Sequence, residues 1–599
     1  MHLVASDWLI IVLYFVVSGA IGLAYTRKAS RSLADYFVSG RSLPWWLAGT
    51  SMVATTFAAD TPLVVAGLVA KYGVAGNWLW WNGAFSGVLT VFFFSRLWRR
   101  AGVLTDVEFA ELRYGGRPAA VLRGFRAVYL AIPINLIIMG WVTRAMVTIL
   151  QISLNIDPWK AAIFLFGVTA LYSVFAGLWG VIVTDLFQFV FAMGGSILLA
   201  VLAVESVGGL EALTTKVSAH FGSTEAAFGV IPPMDAPWLP VTTLLVWLGV
   251  QWWAAWYPGQ EPGGGGYVVQ RILSAKDERH GLLATLWFTI AHYALRPWPW
   301  ILVGFVGLIR YPGLANPEEG YVRVMVDVLP SPFKGLLLAA FAAAYMSTIS
   351  THLNWGASYL INDVYLRFIK PQASPRAQVI ASRVATAVLM VCSLIVMSFL
   401  SSVEQGWKIL IGLGAGTGLV FILRWYWWRV NAWSEISAMV ASFVTSILLA
   451  RFGYNLDDLS KPAYAVTMLI TVLVTTVVWL TVTFMTQPES EATLDRFYRR
   501  VRPGGPGWRP VAARLGFAGD SIPGGALSWV NWVAGLTAVY CAVVSLGAFL
   551  TGSGLRGTLY GVVAIVAFAL IMRNLRADAQ YVASVDRSPG GNLGFSQSN

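Results

Sequence analysis

Three carboxylates lie where an apolar chain has little reason to carry them. Asp60, Asp185 and Glu261 each fall in a stretch hydrophobic enough to enter a bilayer. Charge at that depth is costly and marks ion or solute pathways; each acid also has a plain structural use, capping loosened backbone amides. A second set consists of hydroxyls. Ser347, Ser350 and Thr351 stand at i, i+3 and i+4 and share one helix face, while Thr348 opens about 100° further round. Hydroxyl, carboxylate and released carbonyl oxygens together suit a small hard cation. Hydroxyls that bond back to their own helix or pack its neighbours have the same spacing, so on spacing alone both readings stand. His292 and Arg296, at i and i+4, share a face from which they reach a solute or pair with Glu261. The rings of Trp252, Trp253, Trp256 and Tyr257 are candidates for stacking on a ligand.

The elements that must position these groups are broken helices. Pro258-Gly259-Gln260-Glu261-Pro262-Gly263-Gly264-Gly265-Gly266 interrupts an apolar run that begins near residue 239. Proline removes helix hydrogen bonds and glycine does little to restore them. Far upstream, Thr55-Thr56-Phe57-Ala58-Ala59-Asp60-Thr61-Pro62 interrupts the run from Trp45 to Lys71. In lipid such backbone survives only when buried in protein or lining a cavity, and a discontinuous helix at mid-membrane is the usual setting of a transporter's binding site.

Composition sets the class. Hydrophobic residues make up 57% of the 599 and charged residues 12%, against about 25% charged in a typical soluble chain. The pattern predicts an all-α polytopic membrane protein of about fifteen spans. Lysine and arginine concentrate in 26–43, 96–126 and 487–527, which share one side of the membrane. That bias predicts an outside N-terminus and a cytoplasmic C-terminus. The net charge of +12 therefore reports orientation and gives no reason to expect nucleic acid. Residues before the first span carry no lysine or arginine, so no cleavable signal is expected. Cys392 and Cys541, both in predicted spans, make neither a disulfide framework nor a multi-cysteine metal site. The run Gly412-Leu413-Gly414-Ala415-Gly416-Thr417-Gly418 follows no strand and predicts close helix packing within an apolar helix, not a nucleotide loop. Without a Walker loop, H-E-x-x-H or G-x-S-x-G, an ATP-driven pump or a familiar hydrolase is unsupported, and no enzyme activity is expected.

Along the chain, 1–43 holds the first span and a cytoplasmic loop. Residues 44–204 and 239–429 hold two groups of five spans, each opened by a broken one and opposite in topology, with an outer loop at 205–238 between them. The segment 430–572 adds four spans, with a basic linker at 487–527 expected against the inner leaflet. The tail 573–599 is cytoplasmic, and disorder is expected from about 577.

Four stretches together resemble the sodium:solute symporter family, which includes the sodium/glucose, sodium/proline and sodium/sialic acid transporters. They are Tyr36-Phe37-Val38-Ser39-Gly40-Arg41-Ser42-Leu43-Pro44-Trp45-Trp46; Leu104-Thr105-Asp106-Val107-Glu108-Phe109 with Leu112-Arg113-Tyr114-Gly115; Thr184-Asp185-Leu186-Phe187-Gln188; and Ala342-Ala343-Ala344-Tyr345-Met346-Ser347-Thr348-Ile349-Ser350-Thr351-His352-Leu353-Asn354 followed by Asn362-Asp363-Val364-Tyr365. The resemblance implies a LeuT-type five-plus-five inverted repeat, with one helix before it and about four after, and sodium-coupled uptake by alternating access. By position it implies a first sodium site of the Ala54, Phe57 and Ala344 carbonyls with the Ser347 and Thr348 hydroxyls. It implies a second, present in some members, of Asp185, Ser347, Ser350 and Thr351. Where sugar carriers of the family often have Asn, Glu and Gln near the first break, this chain has Thr56, Asp60 and Thr61.

The expected activity is sodium-coupled import of a small polar solute (a sugar, polyol, amino acid or organic acid) across a plasma or bacterial inner membrane. The lipid bilayer is the expected surrounding. The solute is expected against Asp60, Thr61, Trp253, Tyr257, Glu261 and His292. The alternatives are a proton-coupled carrier of the same fold and, from another class, a membrane-embedded enzyme or sensor built on His292, Arg296 and Glu261.

Overall fold

The computed structural model describes residues 3–29, 41–103, 106–173, 178–234, 236–255, 262–454, 461 and 463–586. Tyr257 and Glu261, and the sequence motif at 36–40, lie outside them. Among the described residues all regular structure is helical; the β contacts amount to an isolated bridge between Leu43 and Ala275.

The first described helix, α1 (Ala5–Ala29), leads to the first broken span. That span consists of α2 (Trp45–Thr55) and α3 (Thr61–Tyr72). Pro62 stands in the first turn of α3, where its missing N–H costs nothing, so the ladder restarts there instead of continuing from α2. A stack of short helices runs from Trp78 to Ala101 through a π segment at Thr90–Phe94. The long helix α4 (Gly116–Leu154) contains Pro133 inside a π turn, which absorbs the hydrogen bond proline cannot make. Next come the helix Pro158–Ser173 and α5 (Leu178–Glu205).

The second half opens with Val241–Val246, a π turn at Trp247–Gln251, and a helix that stops at Ala254. Among the described residues Ala255 and 262–265 are not helical and the next helix is α6 (Gly266–Ser274), so the span is broken as its prolines and glycines predict. Then follow α7 (Glu278–Ile290), α8 (Pro297–Arg310), α9 (Phe333–Ser358), α10 (Pro375–Phe399) and the bent pair α11 (Val403–Gly414) and α12 (Gly418–Tyr426). Two hairpins close the chain: α13 (Ala432–Arg451) with α14 (Ala463–Met485), and α15 (Gly525–Leu550) with α16 (Gly554–Asp586). Eight described helices are individually long and apolar enough to cross a membrane, nine with the bent pair; other spans read from the sequence are divided into shorter pieces.

The first broken span lies along the span that follows the second break, α2 on α7 and α3 on α8. Glycine permits both approaches: a Cβ on Gly49 would stand 2.7 Å from the Ala284 carbonyl oxygen, and one on Gly304 2.8 Å from the Ala66 Cα. Leu43 and Ser274 to Lys276 exchange backbone hydrogen bonds of 3.0 and 3.1 Å, tying the start of α2 to the end of α6. The helix α5 packs between α1, α9 and α2, which carries Asp185 to the hydroxyl face of α9.

Two expectations are corrected. The glycine run at 412–418 packs closely, but it also breaks the helix. Gly416 has φ of +88°, α11 and α12 meet at 50°, and a Cβ on Gly418 would fall 1.9 Å from the Trp253 carbonyl oxygen. The linker 487–527 packs on protein by one face. Its helix Glu491–Val501 and the turn Pro506–Trp508 bury Phe497, Tyr498 and Trp508 against protein, where Arg113 lies over the Trp508 ring at 4.9 Å. Aromatic side chains among the arginines supply the apolar face that a purely basic linker would lack. Finally, α16 continues to Asp586, past the point where disorder is expected.

Candidate ion and solute site

The backbone between α2 and α3 leaves helix for five residues. Thr56 N bonds the Met52 carbonyl at 3.3 Å and Phe57 N reaches only to Ala54 O at 2.9 Å, a tightened last turn. The Phe57 ring turns onto Phe341 of α9 (centroids 6.4 Å apart) and Trp300 of α8 (5.2 Å), so the break is held against the hydroxyl-bearing helix. On that helix Thr348 Oγ1 donates to the Ala344 carbonyl at 2.9 Å. A cation held by both groups would replace that bond with two metal–oxygen contacts. The donor set of two hydroxyls and three carbonyls is all hard oxygen and fits sodium chemically.

Asp185 lies beside this set. Its Oδ1 accepts from Ser347 Oγ at 3.3 Å, and its Oδ2 accepts from Ser51 Oγ at 3.0 Å. Arg271 of α6 brings Nη2 to 3.9 Å from Oδ2. The structure thus unites Asp185 and Ser347 as the sequence suggests. Ser350 turns its hydroxyl back to the Ser347 carbonyl at 3.1 Å, while Thr351 lines the adjoining cavity.

That cavity, about 280 Å³, opens between the two breaks, α4, α9 and α11. Asp60, Thr61, His292, Thr348 and Thr351 line it. Thr61 Oγ1 donates to the Thr56 carbonyl at 3.1 Å, stitching the break. Thr56 Oγ1 sits 3.2 Å from His292 Nδ1 and accepts from Arg296 Nη1 at 2.7 Å. Arg296 also donates to the Val53 carbonyl at 3.2 Å and lies 5.4 Å above the Trp300 ring. Asp60 is 4% exposed, and its Oδ1 has no hydrogen-bond partner among the described residues. The indoles of Trp141 and Trp407 lie against it, and Arg296 acts on it electrostatically.

Trp253 does not line the cavity; Trp252 does. The Trp253 indole donates to the Gly249 carbonyl at 2.7 Å and packs near Ala254 and Ala415. A π turn at Trp247–Gln251 precedes the two rings. Tyr257 and Glu261 lie outside the described residues. Sequence reading missed Ser51, Arg271, Trp141 and Trp407. Arg271 counts only as an inner-side charge in sequence, and nothing local separates two cavity indoles from 28 tryptophans.

Away from this set Lys71 at the end of α3 pairs with Glu404 of α11 at 2.6 Å, and Lys408 joins at 2.8 Å. Glu318 accepts from the Val403 and Glu404 amides at 3.1 and 3.0 Å. The cavity also reaches Asp106 and Tyr359, which are bonded at 2.5 Å.

Two interrupted helices meeting at a buried polar cavity in an all-helical membrane protein define a secondary transporter. The family model of the sodium:solute symporters matches residues 36–442, and the chain belongs to that family. It is an integral membrane protein, and sodium is its coupling ion. Among its relatives, sodium/glucose cotransporter 1 of Oryctolagus cuniculus is 26% identical over 522 residues, covering 78% of this chain and 75% of the relative. The sodium/glucose cotransporter of Vibrio parahaemolyticus is 26% identical over 493 residues, covering 78% and 89%. Sodium/myo-inositol cotransporter 2 of Oryctolagus cuniculus is 26% identical over 488 residues, covering 74% and 70%. A sodium-coupled sialic acid symporter, solved substrate-bound and outward-open, superposes with a TM-score of 0.63 at 19% identity, covering 81% of this chain and 98% of that one; it shares the LeuT-type fold.

Proposed function

We propose that the chain imports a small hydroxylated solute of sugar or polyol size with sodium, by alternating access, and leaves the solute chemically unchanged. The observation that carries the solute class is Asp60: a buried carboxylate with an oxygen lacking a donor, in a cavity that indoles also line. A hydroxyl supplies the missing donor, and a sugar or polyol C–H face suits indole. The cavity volume of about 280 Å³ suits a small solute. The names of the relatives, sodium/glucose and sodium/myo-inositol cotransporters, point the same way.

In this reading sodium enters from outside and binds the Ala54, Phe57 and Ala344 carbonyls and the Ser347 and Thr348 hydroxyls. It joins the first break to α9 and favours the outward-facing state. Solute then binds Asp60, Thr61 and His292 with the cavity indoles; Tyr257 and Glu261 complete the proposed contacts. The Lys71–Glu404–Lys408 cluster supports an outer closure that parts before solute enters. Coupling requires that each ligand bind the two states differently. The N-terminus is placed outside and the C-terminus inside by the charge bias.

The experiment is uptake of labelled glucose, galactose, myo-inositol, proline and sialic acid into proteoliposomes, with sodium or potassium outside. Uptake of a hydroxylated solute only with sodium supports the reading. Uptake driven by a pH gradient in sodium-free buffer replaces it with proton coupling. A cationic or purely aliphatic substrate overturns the assignment to Asp60.

A further inference from the structure

Asp185 already has a cation. Both its oxygens are engaged, Oδ1 by the Ser347 hydroxyl and Oδ2 by the Ser51 hydroxyl and Arg271. Arg271 is itself 2% exposed and built into place. It donates to Thr55 Oγ1 at 3.2 Å and Gln270 Oε1 at 2.7 Å, and its Nε lies 3.5 Å from Ser51 Oγ. Thr55 in turn donates to the Ser51 carbonyl at 2.7 Å. Carboxylate and guanidinium therefore form a neutral unit joining α2, α5, α6 and α9. Sodium on Asp185 would set two cations against one acid. Unit charges about 4 Å apart in a protein-like dielectric repel strongly enough to cost roughly a thousandfold in affinity.

Ser347 behaves differently. Its hydroxyl proton is committed to Asp185, so it offers only lone pairs to any other neighbour. That is the state a sodium ligand needs, and an outer partner of this kind typically changes ion affinity ten- to a hundredfold.

We propose that Arg271 is the resident cation of Asp185, that Asp185 is a positioning residue for Ser347 and not the ligand of a second sodium, and that the chain carries one sodium per solute. This rests on the sodium-coupled reading above. The limiting accumulation of a neutral solute at fixed voltage and sodium gradient is then the square root of what two ions would sustain.

The test is equilibrium binding of ²²Na⁺ alone to the purified full-length protein, alongside sodium-dependent thermal shifts. The expected count is one ion per chain in the wild type. Asp185→Asn should still bind one ion, about tenfold or more weaker, with a lower melting temperature in potassium because buried Arg271 loses its counter-charge. Arg271→Lys should keep the count at one, whereas Arg271→Gln, which frees the acid, should raise it to two. Two ions in the wild type overturn the proposal, and this needs no variant to fold. A count of one in folded Arg271→Gln overturns the resident-cation role, and unaltered affinity in Asp185→Asn overturns the positioning role. No bound sodium in the wild type sinks the sodium site itself, a failure distinct from a count of two.

Discussion

Replacing Asp60 by asparagine should stabilise the protein and weaken transport at once. Asp60 is 4% exposed, with Oδ1 unpartnered among the described residues. A buried polar group left without a partner costs about 1–3 kcal/mol, and more when charged. Asparagine keeps the shape and removes the charge. The gain is partly offset because Arg296 loses a nearby negative charge, although it keeps the Thr56 hydroxyl at 2.7 Å, the Val53 carbonyl at 3.2 Å and the Trp300 ring. A net gain of about 1 kcal/mol is expected, read as a rise of roughly 1–2 °C in apparent melting temperature without solute. Solute affinity should fall for the opposite reason. A hydrogen bond from a solute hydroxyl to a charged acceptor is worth about 1.5–3 kcal/mol, or roughly ten- to a hundredfold in apparent affinity. Sodium binding without solute should change little. The assay pairs thermal unfolding in detergent with concentration-dependent uptake in proteoliposomes. A destabilised variant, or one with wild-type solute affinity, would refute the claim that Asp60 is kept for the solute at the expense of the fold.

Thr348→Val removes a proposed sodium oxygen while preserving volume, and should weaken sodium-induced thermal stabilisation about tenfold or more in sodium concentration. Burial pushes the loop acid Glu318 up from 4.5 to about 7. A raised carboxyl contributes stability that is fully present below about pH 4.5 and lost as pH rises through about 7. The wild type should therefore lose melting temperature across that window, and Glu318→Gln should flatten the slope; an unchanged profile would count against the burial argument. Gly418→Ala should destabilise by about 1–3 kcal/mol, because its Cβ would stand 1.9 Å from the Trp253 carbonyl oxygen. Chemical denaturation or thermal unfolding in detergent would measure it.

The energetic stake in ion count is large. Each inward sodium contributes about 2.3 kcal/mol per 100 mV and about 1.4 kcal/mol per tenfold gradient. Under both, one ion sustains roughly a 500-fold gradient of neutral solute and two sustain roughly 10⁵-fold.

The chain's own residues determine the broken spans, the membrane class and the hydroxyl stripe on α9, because these are local properties. Proline and glycine cannot hold a ladder wherever they sit, and an apolar run partitions into lipid regardless of its neighbours. The break at Thr56–Asp60 was legible for that reason, as was the proximity of Asp60 to it. The break between α11 and α12 was not, because a glycine run serves close packing and helix termination equally well until a neighbour such as the Trp253 carbonyl is present. Trp253 stands beside the break in sequence yet off the cavity, because nearness along the chain does not say which side of a helix a ring takes. Only the tertiary structure decided what stands next to Asp185. The acid, its two hydroxyl donors and Arg271 come from four helices, and no periodicity along one chain segment encodes which charge crosses from another. Packing chooses that neighbour, since a buried acid must find its counter-charge wherever the folded helices bring one.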